Sequence, residues 1–329
     1  MCRADRDVFP SLAQAQASVA NETYRELGLP PTFLFCPTEY CSSLCSPSPA
    51  KSRYLQTLGQ ELLPEIGVIW TGPKVVSQEL SVALVEEVEH VLQHRLLIWD
   101  NLFANDYDCR RVFLGPYTGR APGLVPRLCG LLLNPNCELQ ANFIPIHTLG
   151  SWFRSELQGC THTNSTGTDA SAELGDSLGL QEGYSPQKAL ELALLDWVAE
   201  IKQQVLEAEE GRSDSSAPLT MEEARMLVEL FYLPYHHGPQ AQQLLEDLQW
   251  LRANSPSMGV PTRSPNSCVV AEWRSRARSF QQLCAQMCCL HSRFVRSAGQ
   301  ALLYDLHPYL WDIRNLLLAA SAFVLWLGT

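Results

Sequence analysis

The stretch Leu96-Leu97-Ile98-Trp99-Asp100-Asn101 is the clearest structural signal in this 329-residue chain, because a short apolar run ends abruptly in polar residues. The same pattern recurs in three other runs, at residues 32–35, 67–70 and 142–146. Buried parallel strands have this pattern because other elements cover both of their faces. We therefore predict four parallel strands, each followed by polar residues at its carboxyl end.

Helices are predicted around these strands. Apolar residues recur at helical spacing over residues 82–92 and 124–131, and also over residues 8–27 ahead of the first strand. The predicted buried face of that first helix consists of Ala13, Ala17, Ala20 and Tyr24. Strands that alternate with helices indicate βαβ units and a parallel sheet.

Polar residues at the carboxyl ends of parallel strands form the catalytic face of a (β/α)₈ barrel. A complete barrel needs eight strands over about 250 residues, whereas four runs are found here. A half barrel has two open edges and leaves interior side chains in water, which costs hydrophobic stabilisation. Either further strands are hidden in the sequence, or the chain carries part of a barrel.

The second half of the chain has a different character. Residues 159–184 are rich in Ser, Thr, Gly and Asp, which predicts a flexible linker. Residues 185–329 are predicted to be all-α. One helix begins at Ser185-Pro186, with Pro at its first position, and another begins at Thr220, whose T-x-x-E sequence is a capping box.

The last helices bear on the question of a membrane. A long helix predicted from Val270 to about Leu306 should end or kink at Pro308. The final helix is apolar from Leu316 to Leu327 apart from Ser321. This apolar part is shorter than the ~20 residues that a spanning helix needs. We therefore predict a buried helix and no membrane segment.

The composition argues against several classes of partner. The formal net charge is −11, from 24 Lys and Arg against 35 Asp and Glu. This balance disfavours nucleic acid, because phosphate binding needs a basic surface. Residues 1–7 are polar and charged and lack the apolar core of a signal peptide. We therefore expect reduced thiols and a cytoplasmic or nuclear protein.

No metal and no cofactor is predicted. Cys36, Cys41 and Cys45 lack the C-x₂-C spacing of a zinc site. No G-x-x-x-x-G-K phosphate-binding loop occurs in the sequence. Three further cysteines fall on a predicted helix and are interpreted as core residues: Cys284, Cys288 and Cys289.

Long and unusual motifs cover nearly the whole chain. In the first half they are FLFCPTEYC (33–41), WTGPKVV (70–76), WDNLFANDYD (99–108), FLGPYTGR (113–120) and LNPNCE (133–138). In the second half they are LFYLPYHHG (230–238), LQWLRAN (248–254) and EWRSR (272–276). In sequence and in order these motifs resemble the animal O-GlcNAcase family, which is family eighty-four of the glycoside hydrolases.

The resemblance implies the fold class. The family has a (β/α)₈ TIM barrel followed by a helical stalk through which two chains pair. The predicted fold is therefore α/β and then all-α: the C-terminal half of a TIM barrel and a helical stalk bundle. Strands five to eight of the barrel are expected in residues 1–158, the linker in residues 159–184 and the stalk in residues 185–329.

The resemblance also implies the mechanism. Hydrolysis in this family is substrate-assisted, so that the acetamido oxygen of the sugar attacks the anomeric carbon. One Asp orients the acetamido group, and the adjacent Asp acts as general acid and then as general base. In the family this pair precedes the motif that matches Met1-Cys2. The pair is therefore expected upstream of Met1, and no catalytic residue is assigned within the chain.

Binding roles are implied for residues that match the family motifs. Trp99 would pack against the N-acetyl methyl group, Asn101 would join the acetamido network, and Asp106 would accept from sugar hydroxyls. The full implied set of substrate-binding residues is Tyr40, Thr71, Trp99, Asn101, Asp106 and Asn134. Two further aromatic residues are implied at the cleft for the substrate peptide, namely Tyr107 and Trp250.

Without the resemblance, some of these residues have plainer interpretations. Asp100, Asp106 and Asp108 would form either an acid–base set or a solvated loop, and for Asp100 and Asp108 we keep the solvated loop. Trp250 would be a core residue on a helix. These alternatives are separated by where the side chains lie.

The resemblance implies two possible functions. The first is a glycosidase that removes β-linked N-acetylglucosamine from Ser and Thr of intracellular proteins. The second is a non-catalytic binding or regulatory protein that dimerises through its stalk, with itself or with a full-length relative. The intact binding residues favour the first, and the missing Asp pair favours the second. We expect no hydrolase activity from this chain alone.

Overall fold

We describe the protein from a computed structural model, which covers residues 9–107, 110–163, 183–208, 218–255 and 267–328. These residues fall into two compact units. The sheet unit contains the described parts of 1–104, 117–135 and 149–186. The helical unit contains those of 105–116, 136–148 and 187–329. The segmental boundaries predicted at residues 158 and 184 stay a prediction.

The sheet unit is built on four parallel strands. They are β1 (Leu34–Phe35), β2 (Gly67–Trp70), β3 (Leu96–Asp100) and β4 (Gly130–Leu133), and they pair in that order. Trp70 is in register with Ile98, and Asp100 is in register with Leu133. Because all strands are parallel, their carboxyl ends lie along one edge, as the sequence predicts.

The position of the fourth strand was predicted wrongly. Residues 142–146 do not form a strand: Phe143 begins helix α4 (Phe143–Thr163). Pro145 is tolerated there because the first turn of a helix does not need its N–H. The segment predicted as a helix at 124–131 instead contains a single 3₁₀ turn, Val125–Arg127, and then β4.

Three helices of the sheet unit precede or follow its strands: α1 (Phe9–Glu26), α2 (Arg53–Glu61) and α3 (Val82–Leu92). The predicted face of α1 is confirmed, since Ala13, Ala17, Ala20 and Tyr24 are all buried. The side chain of Asn21 fastens α1 to the end of α2, because it donates to the Glu61 carbonyl (2.8 Å) and accepts from the Leu63 N–H (2.9 Å).

The helical unit contains α5 (Pro186–Ala208), α6 (Met221–Leu230), α7 (Pro239–Ala253), α8 (Ser267–Ser297) and α9 (Gln300–Leu327). The capping box of α6 is confirmed: the Thr220 hydroxyl accepts from the Glu223 N–H (3.2 Å), and the Glu223 carboxylate accepts from the Thr220 N–H (2.9 Å). Most of the linker predicted at residues 159–184 lies outside the described residues. Residues 159–163 are described and form the end of α4, so this part of the predicted linker is helical and the linker prediction was wrong there.

Two predictions for α8 and α9 were wrong. The helix break falls at residues 298–299, and Pro308 lies inside α9 without ending it. Cys284 is buried, whereas Cys288 is half-buried and Cys289 is exposed, so the three cysteines are not all core residues. A helical period turns neighbouring positions to different faces, so Cys288 and Cys289 cannot share one environment.

The prediction of a buried terminal helix was also wrong. Leu317 and Val324 are buried in α9, but Leu316, Leu325 and Trp326 are 64%, 59% and 62% exposed. One stripe of this apolar helix packs, and the remainder faces outward. By length and composition α9 is also a candidate membrane span, and 22% of its most apolar stretch of 18 residues is buried. Its 28 residues remove the length argument that the sequence suggested.

Candidate functional site

The candidate site lies where β3 and β4 end. Along β3, Ile98 and Asp100 are buried, whereas Trp99 between them is 38% exposed. Successive residues of a strand point to opposite faces, so the side chains of Trp99 and Asp100 lie in different environments. The register pairs Trp99 with Leu132, which is also exposed, so both side chains belong to the same open face of the sheet.

Asn101 is the centre of the site. Its Oδ1 accepts from the Trp99 indole N–H (3.1 Å) and from the Asn134 amide (2.9 Å). Its Nδ2 donates to the Val75 carbonyl at 2.8 Å. The Asn134 backbone N–H donates to the Asp100 carbonyl at 2.8 Å, which continues the β3–β4 ladder by one residue. The sheet thus brings Trp99, Asn101 and Asn134 together.

The same loop reaches Thr71 and Tyr40. The Thr71 hydroxyl donates to the Lys74 carbonyl (2.8 Å), next to the Val75 carbonyl that Asn101 uses. The Thr71 N–H donates to the Tyr40 carbonyl at 2.9 Å. Thr71 is buried and Tyr40 is half-buried. Five of the six predicted substrate-binding residues therefore fall into two hydrogen-bonded groups, Tyr40 with Thr71 and Trp99 with Asn101 and Asn134, which bond to the adjacent carbonyls of Lys74 and Val75.

The hydrogen-bonding capacity of the two amides differs. Both lone pairs of Asn101 Oδ1 are used by Trp99 and Asn134, which leaves Asn101 one N–H to offer a ligand. Asn134 uses one N–H of its side chain, so its second N–H and its Oδ1 have no partner among the described residues. Asn134 is half-buried, whereas Asn101 is 3% exposed. Asn134 is therefore equipped to bind a hydroxyl, and Asn101 to hold its neighbours.

The remaining predicted residues belong to the helical unit. Asp106 is exposed, and Tyr107 is 58% exposed. The preceding Asn105 is buried and anchors this turn, since its amide donates to the Arg111 carbonyl (2.9 Å) and to the Glu138 carboxylate (2.7 Å). The predicted roles of Asp106 and Tyr107 stay predictions.

Trp250, the other residue predicted at the peptide cleft, is half-buried on α7. The guanidinium of Arg276 lies 4.3 Å from its ring centroid. A cation over an indole face is a favourable contact that leaves the ring partly accessible. Trp250 is therefore not a fully enclosed core residue, and its predicted cleft role stays a prediction.

Asp100 was predicted wrongly as a solvated loop residue. It is 1% exposed, and its carboxylate accepts from the Arg120 guanidinium through two N–H groups, from the Tyr117 hydroxyl (2.7 Å) and from the Leu102 N–H (3.1 Å). The alternation of β3 could have placed Asp100 on the covered face, because Trp99 was already assigned to the open one. Asp108 lies outside the described residues.

The protonation of this buried group follows from its contacts. Burial and the adjacent Asp100 charge raise the pKa of the Tyr117 hydroxyl well above its usual value. Burial acts to lower the pKa of Arg120, but the charge and hydrogen bonds of Asp100 outweigh it and raise that pKa. Tyr117 is therefore a neutral donor and Arg120 a cation at any physiological pH.

Within the described ranges, no three His, Cys, Asp or Glu side chains are grouped so that they could hold a metal ion. A cavity of about 700 Å³ in the sheet unit is lined by Thr118, Arg120, Trp152 and Glu156 among others, and none of the predicted sugar-binding residues lines it. We therefore locate the candidate chemistry at the open face of the sheet and not in this cavity.

Comparison with protein families gives one match that covers more than half of the chain. The family model described as beta-N-acetylglucosaminidase matches residues 1–177. Protein O-GlcNAcase of Rattus norvegicus is 33% identical over an alignment that covers 100% of this chain and 53% of the relative. The Mus musculus protein of the same name is 32% identical with the same coverage. The chain thus spans about half the length of the curated relatives it matches.

Solved structures support the fold. A mutant of the Thermobaculum terrenum O-GlcNAc hydrolase matches with a TM-score of 0.66 at 22% identity, over 98% of this chain and 57% of that chain. CpGH84B matches with a TM-score of 0.60 at 17% identity, over 95% of this chain and 46% of that one. The predicted fold class, half of such a barrel followed by helices, is confirmed.

Proposed function

The chain belongs to the beta-N-acetylglucosaminidase family, the O-GlcNAcase-type glycoside hydrolases, and from this premise we propose that it binds terminal N-acetylglucosamine. The substrate class we propose is β-linked N-acetylglucosamine on Ser and Thr of intracellular proteins. Tyr40, Thr71, Trp99, Asn101 and Asn134 would form the wall of the sugar site, with Asp106 as a further hydroxyl acceptor. Tyr107 and Trp250 would contact the substrate peptide.

The single observation that carries this proposal is the hydrogen-bonded group of Trp99, Asn101 and Asn134. An indole fixed by its N–H presents a rigid apolar face, which suits an N-acetyl methyl group. The amide of Asn134 keeps one donor and one acceptor, which suits a sugar hydroxyl that must both donate and accept. Sugar recognition needs this combination of a flat apolar surface and fixed polar groups.

Bond cleavage needs groups that this wall does not provide. In substrate-assisted hydrolysis the acetamido oxygen attacks the anomeric carbon while a carboxylic acid protonates the leaving oxygen. The 329 residues contain no two adjacent aspartates. Proton transfer by a positioned acid or base contributes about 10²–10⁴-fold to a rate. We therefore propose that this chain binds the sugar without hydrolysing it unaided.

Binding is tested by titrating the chain with N-acetylglucosamine and, in parallel, with glucose, which lacks the acetamido group. We expect saturable binding of N-acetylglucosamine only, and a loss of at least tenfold in affinity in Asn134→Ala. Asn254→Ala is a matched control, because Asn254 is exposed and donates its amide to a backbone carbonyl (2.9 Å) in the other unit. Equal affinity for both sugars would contradict the proposal.

Catalysis is tested with an aryl N-acetylglucosaminide. The purified chain should show no turnover above the uncatalysed rate. Sustained turnover that Asn134→Ala abolishes would mean that the chain carries its own acid and base, and would refute the proposed division between binding and proton transfer. Binding without turnover is the result expected from a non-catalytic relative that acts as a partner or regulator.

A second copy of this chain is the partner that we propose for α9, although a full-length relative would present the same surface. Tyr304, Trp311, Leu318 and Leu325 are 84%, 47%, 46% and 59% exposed and recur every seven residues. This is the spacing of the seam along which two helices pack. A stripe of large apolar side chains in water is typical of an interaction surface.

The oligomeric state tests this partner. We expect a dimer by light scattering and a monomer for Leu318→Glu, whereas Leu192→Glu, which alters a leucine on α5 that is 58% exposed against 46% for Leu318, should remain dimeric. A monomeric wild-type chain that binds phosphatidylcholine vesicles through Leu318 would contradict both the dimer and the absence of a membrane role.

We also propose a cytoplasmic or nuclear location, because the exposed cysteines Cys36 and Cys129 are free thiols. Secretion of a tagged chain would refute it.

A further inference from the structure

We propose that Asp100, Arg120 and Tyr117 form a positioning brace that fixes Trp99 and Asn101 for sugar binding. This inference rests on the sugar site proposed above and assigns the residues that hold it in place. None of the three was given a role by the family motifs. Tyr117 and Arg120 bond to the Asp100 carboxylate, on the face of β3 opposite Trp99, so we describe all three as positioning residues.

The brace begins in the strand itself. Asp100 lies between Trp99 and Asn101, and strand geometry turns its side chain to the opposite face. The backbone that carries both site residues is therefore anchored at the peptide units on either side of Asp100. The carboxylate also accepts from the Leu102 N–H at 3.1 Å, which fixes the start of the loop after the strand.

Arg120 extends the brace to neighbouring loops. Its Nε donates to Asp100 Oδ2 at 2.7 Å, and its Nη1 donates to the carbonyls of Gln78 (3.1 Å) and Thr118 (3.0 Å). Gln78 lies between β2 and α3, so one guanidinium joins the end of β3 to the loop between these two elements. Four of the five N–H donors of the planar guanidinium are used, which restricts its orientation.

Tyr117 completes the brace. Its hydroxyl donates to Asp100 Oδ2 at 2.7 Å, and its ring packs against Trp152, with the centroids 5.2 Å apart. Its backbone carbonyl accepts from the Tyr184 hydroxyl at 2.6 Å. Tyr117 and Asp100 are 0% and 1% exposed, so water does not compete for these bonds.

Burial explains why this arrangement positions and does not merely stabilise. A buried ion pair contributes little net stability relative to apolar residues, because both charges must be desolvated. It does, however, impose one geometry, since any displacement leaves a charge unpaired in a low dielectric. A sugar site needs its contacts fixed to within about 0.5 Å, which is the benefit that such a group provides.

The test measures the position of Trp99 directly and needs no ligand. The indole N–H resonance of Trp99, assigned with Trp99→Phe, reports its bond to Asn101. We expect Tyr117→Phe to shift this resonance and to weaken N-acetylglucosamine binding three- to tenfold. Asp100→Asn should weaken binding more, and Asp100→Asn with Arg120→Gln should recover part of the loss because no unpaired charge remains. If Asp100→Asn does not fold, Tyr117→Phe alone decides.

Glu156→Gln is the matched control. Glu156 is also a buried carboxylate in the sheet unit, and it accepts from the Gly123 N–H at 2.8 Å. We expect it to lower thermal stability without moving the Trp99 resonance or the affinity. The proposal is overturned if Tyr117→Phe lowers stability while both readouts remain at wild-type values. If the wild-type chain binds no sugar, the proposed function fails, and the resonance shift still tests the brace.

Discussion

Replacing Asn101 by Ala should destabilise the sheet unit far more than replacing Asn134, although both are amides in the same site. Asn101 makes three side-chain hydrogen bonds, to Trp99, Asn134 and Val75, and is 3% exposed. At about 1 kcal/mol each, the loss in the free energy of unfolding is about 3 kcal/mol. Asn134 makes one such bond, so Asn134→Ala should cost about 1 kcal/mol.

The double variant sharpens this prediction. The bond between Asn101 and Asn134 is lost in either single variant, so Asn101→Ala with Asn134→Ala should cost about 3 kcal/mol and not the sum of about 4 kcal/mol. Urea denaturation followed by far-UV circular dichroism measures all three values. The emission of Trp99, one of eight tryptophans, is isolated by subtracting the spectrum of the same variant with Trp99→Phe, and it should move to longer wavelength in the variants that carry Asn101→Ala and not in Asn134→Ala alone.

Two results would refute this reasoning. If Asn101→Ala costs no more than Asn134→Ala, Asn101 is not the centre that its hydrogen bonds suggest. If the single effects add in the double variant, the bond at 2.9 Å between the two amides contributes nothing. Sugar binding separates the roles further, because Asn134→Ala should weaken it at least tenfold while costing only about 1 kcal/mol of stability.

Three further predictions concern stability. Gly119→Ala should lower the free energy of unfolding by at least about 2 kcal/mol, because Gly119 has φ +80° and a Cβ there would overlap the Gln78 carbonyl. Gly123 has the same φ but open space around it, so Gly123→Ala should cost about 1 kcal/mol; thermal denaturation compares the two variants. Ser52→Ala should lower the free energy of unfolding by about 2 kcal/mol, and Thr220→Ala by about 1 kcal/mol. Both residues cap a helix, but Ser52 also donates to the buried Glu39 carboxylate at 2.5 Å. Equal losses in the two variants would contradict this reasoning. Burial lowers the pKa of His291, and the charges of His307 and Arg314 lower it further. The unfolded chain therefore binds more protons than the folded chain, so the free energy of unfolding should fall as the pH drops through 6.5. In urea titrations His291→Phe should flatten this pH dependence, whereas His90→Gln, at an exposed histidine, should not.

The parallel sheet could be predicted from sequence where the apolar runs are short and end in polar residues. β2 and β3 were found within one residue of their observed ends because Gly67–Trp70 and Leu96–Asp100 have no competing helical pattern. The Gly130–Leu133 strand was missed because its leucines also fit a helical spacing with Leu124 and Leu128. Periodicity over so few residues does not distinguish the two structures, and the partner strand makes the choice.

The packed faces of helices were predictable, but the faces left open were not. On α5, Leu190, Leu194 and Trp197 recur at helical spacing in the sequence and all three are buried. In α9 apolar residues occur all round, so the sequence indicates burial without indicating which stripe packs within the chain. Leu325 and Trp326 are exposed in the structure, and the sequence could not indicate this because no polar face marks the side of α9 that points outward.

The binding residues were predictable from motifs, whereas the residues that hold them were not. Trp99 and Asn101 stand out because they match a family pattern, but Asp100 between them resembles any loop carboxylate until its partner is known. That partner, Arg120, lies 20 residues away in sequence, and only the three-dimensional fold brings it within 2.7 Å. A purely local interpretation would therefore assign proton transfer to Asp100. Its position argues against that role, because a carboxylate that is 1% exposed and accepts from four donors inside the sheet unit has no access to a sugar.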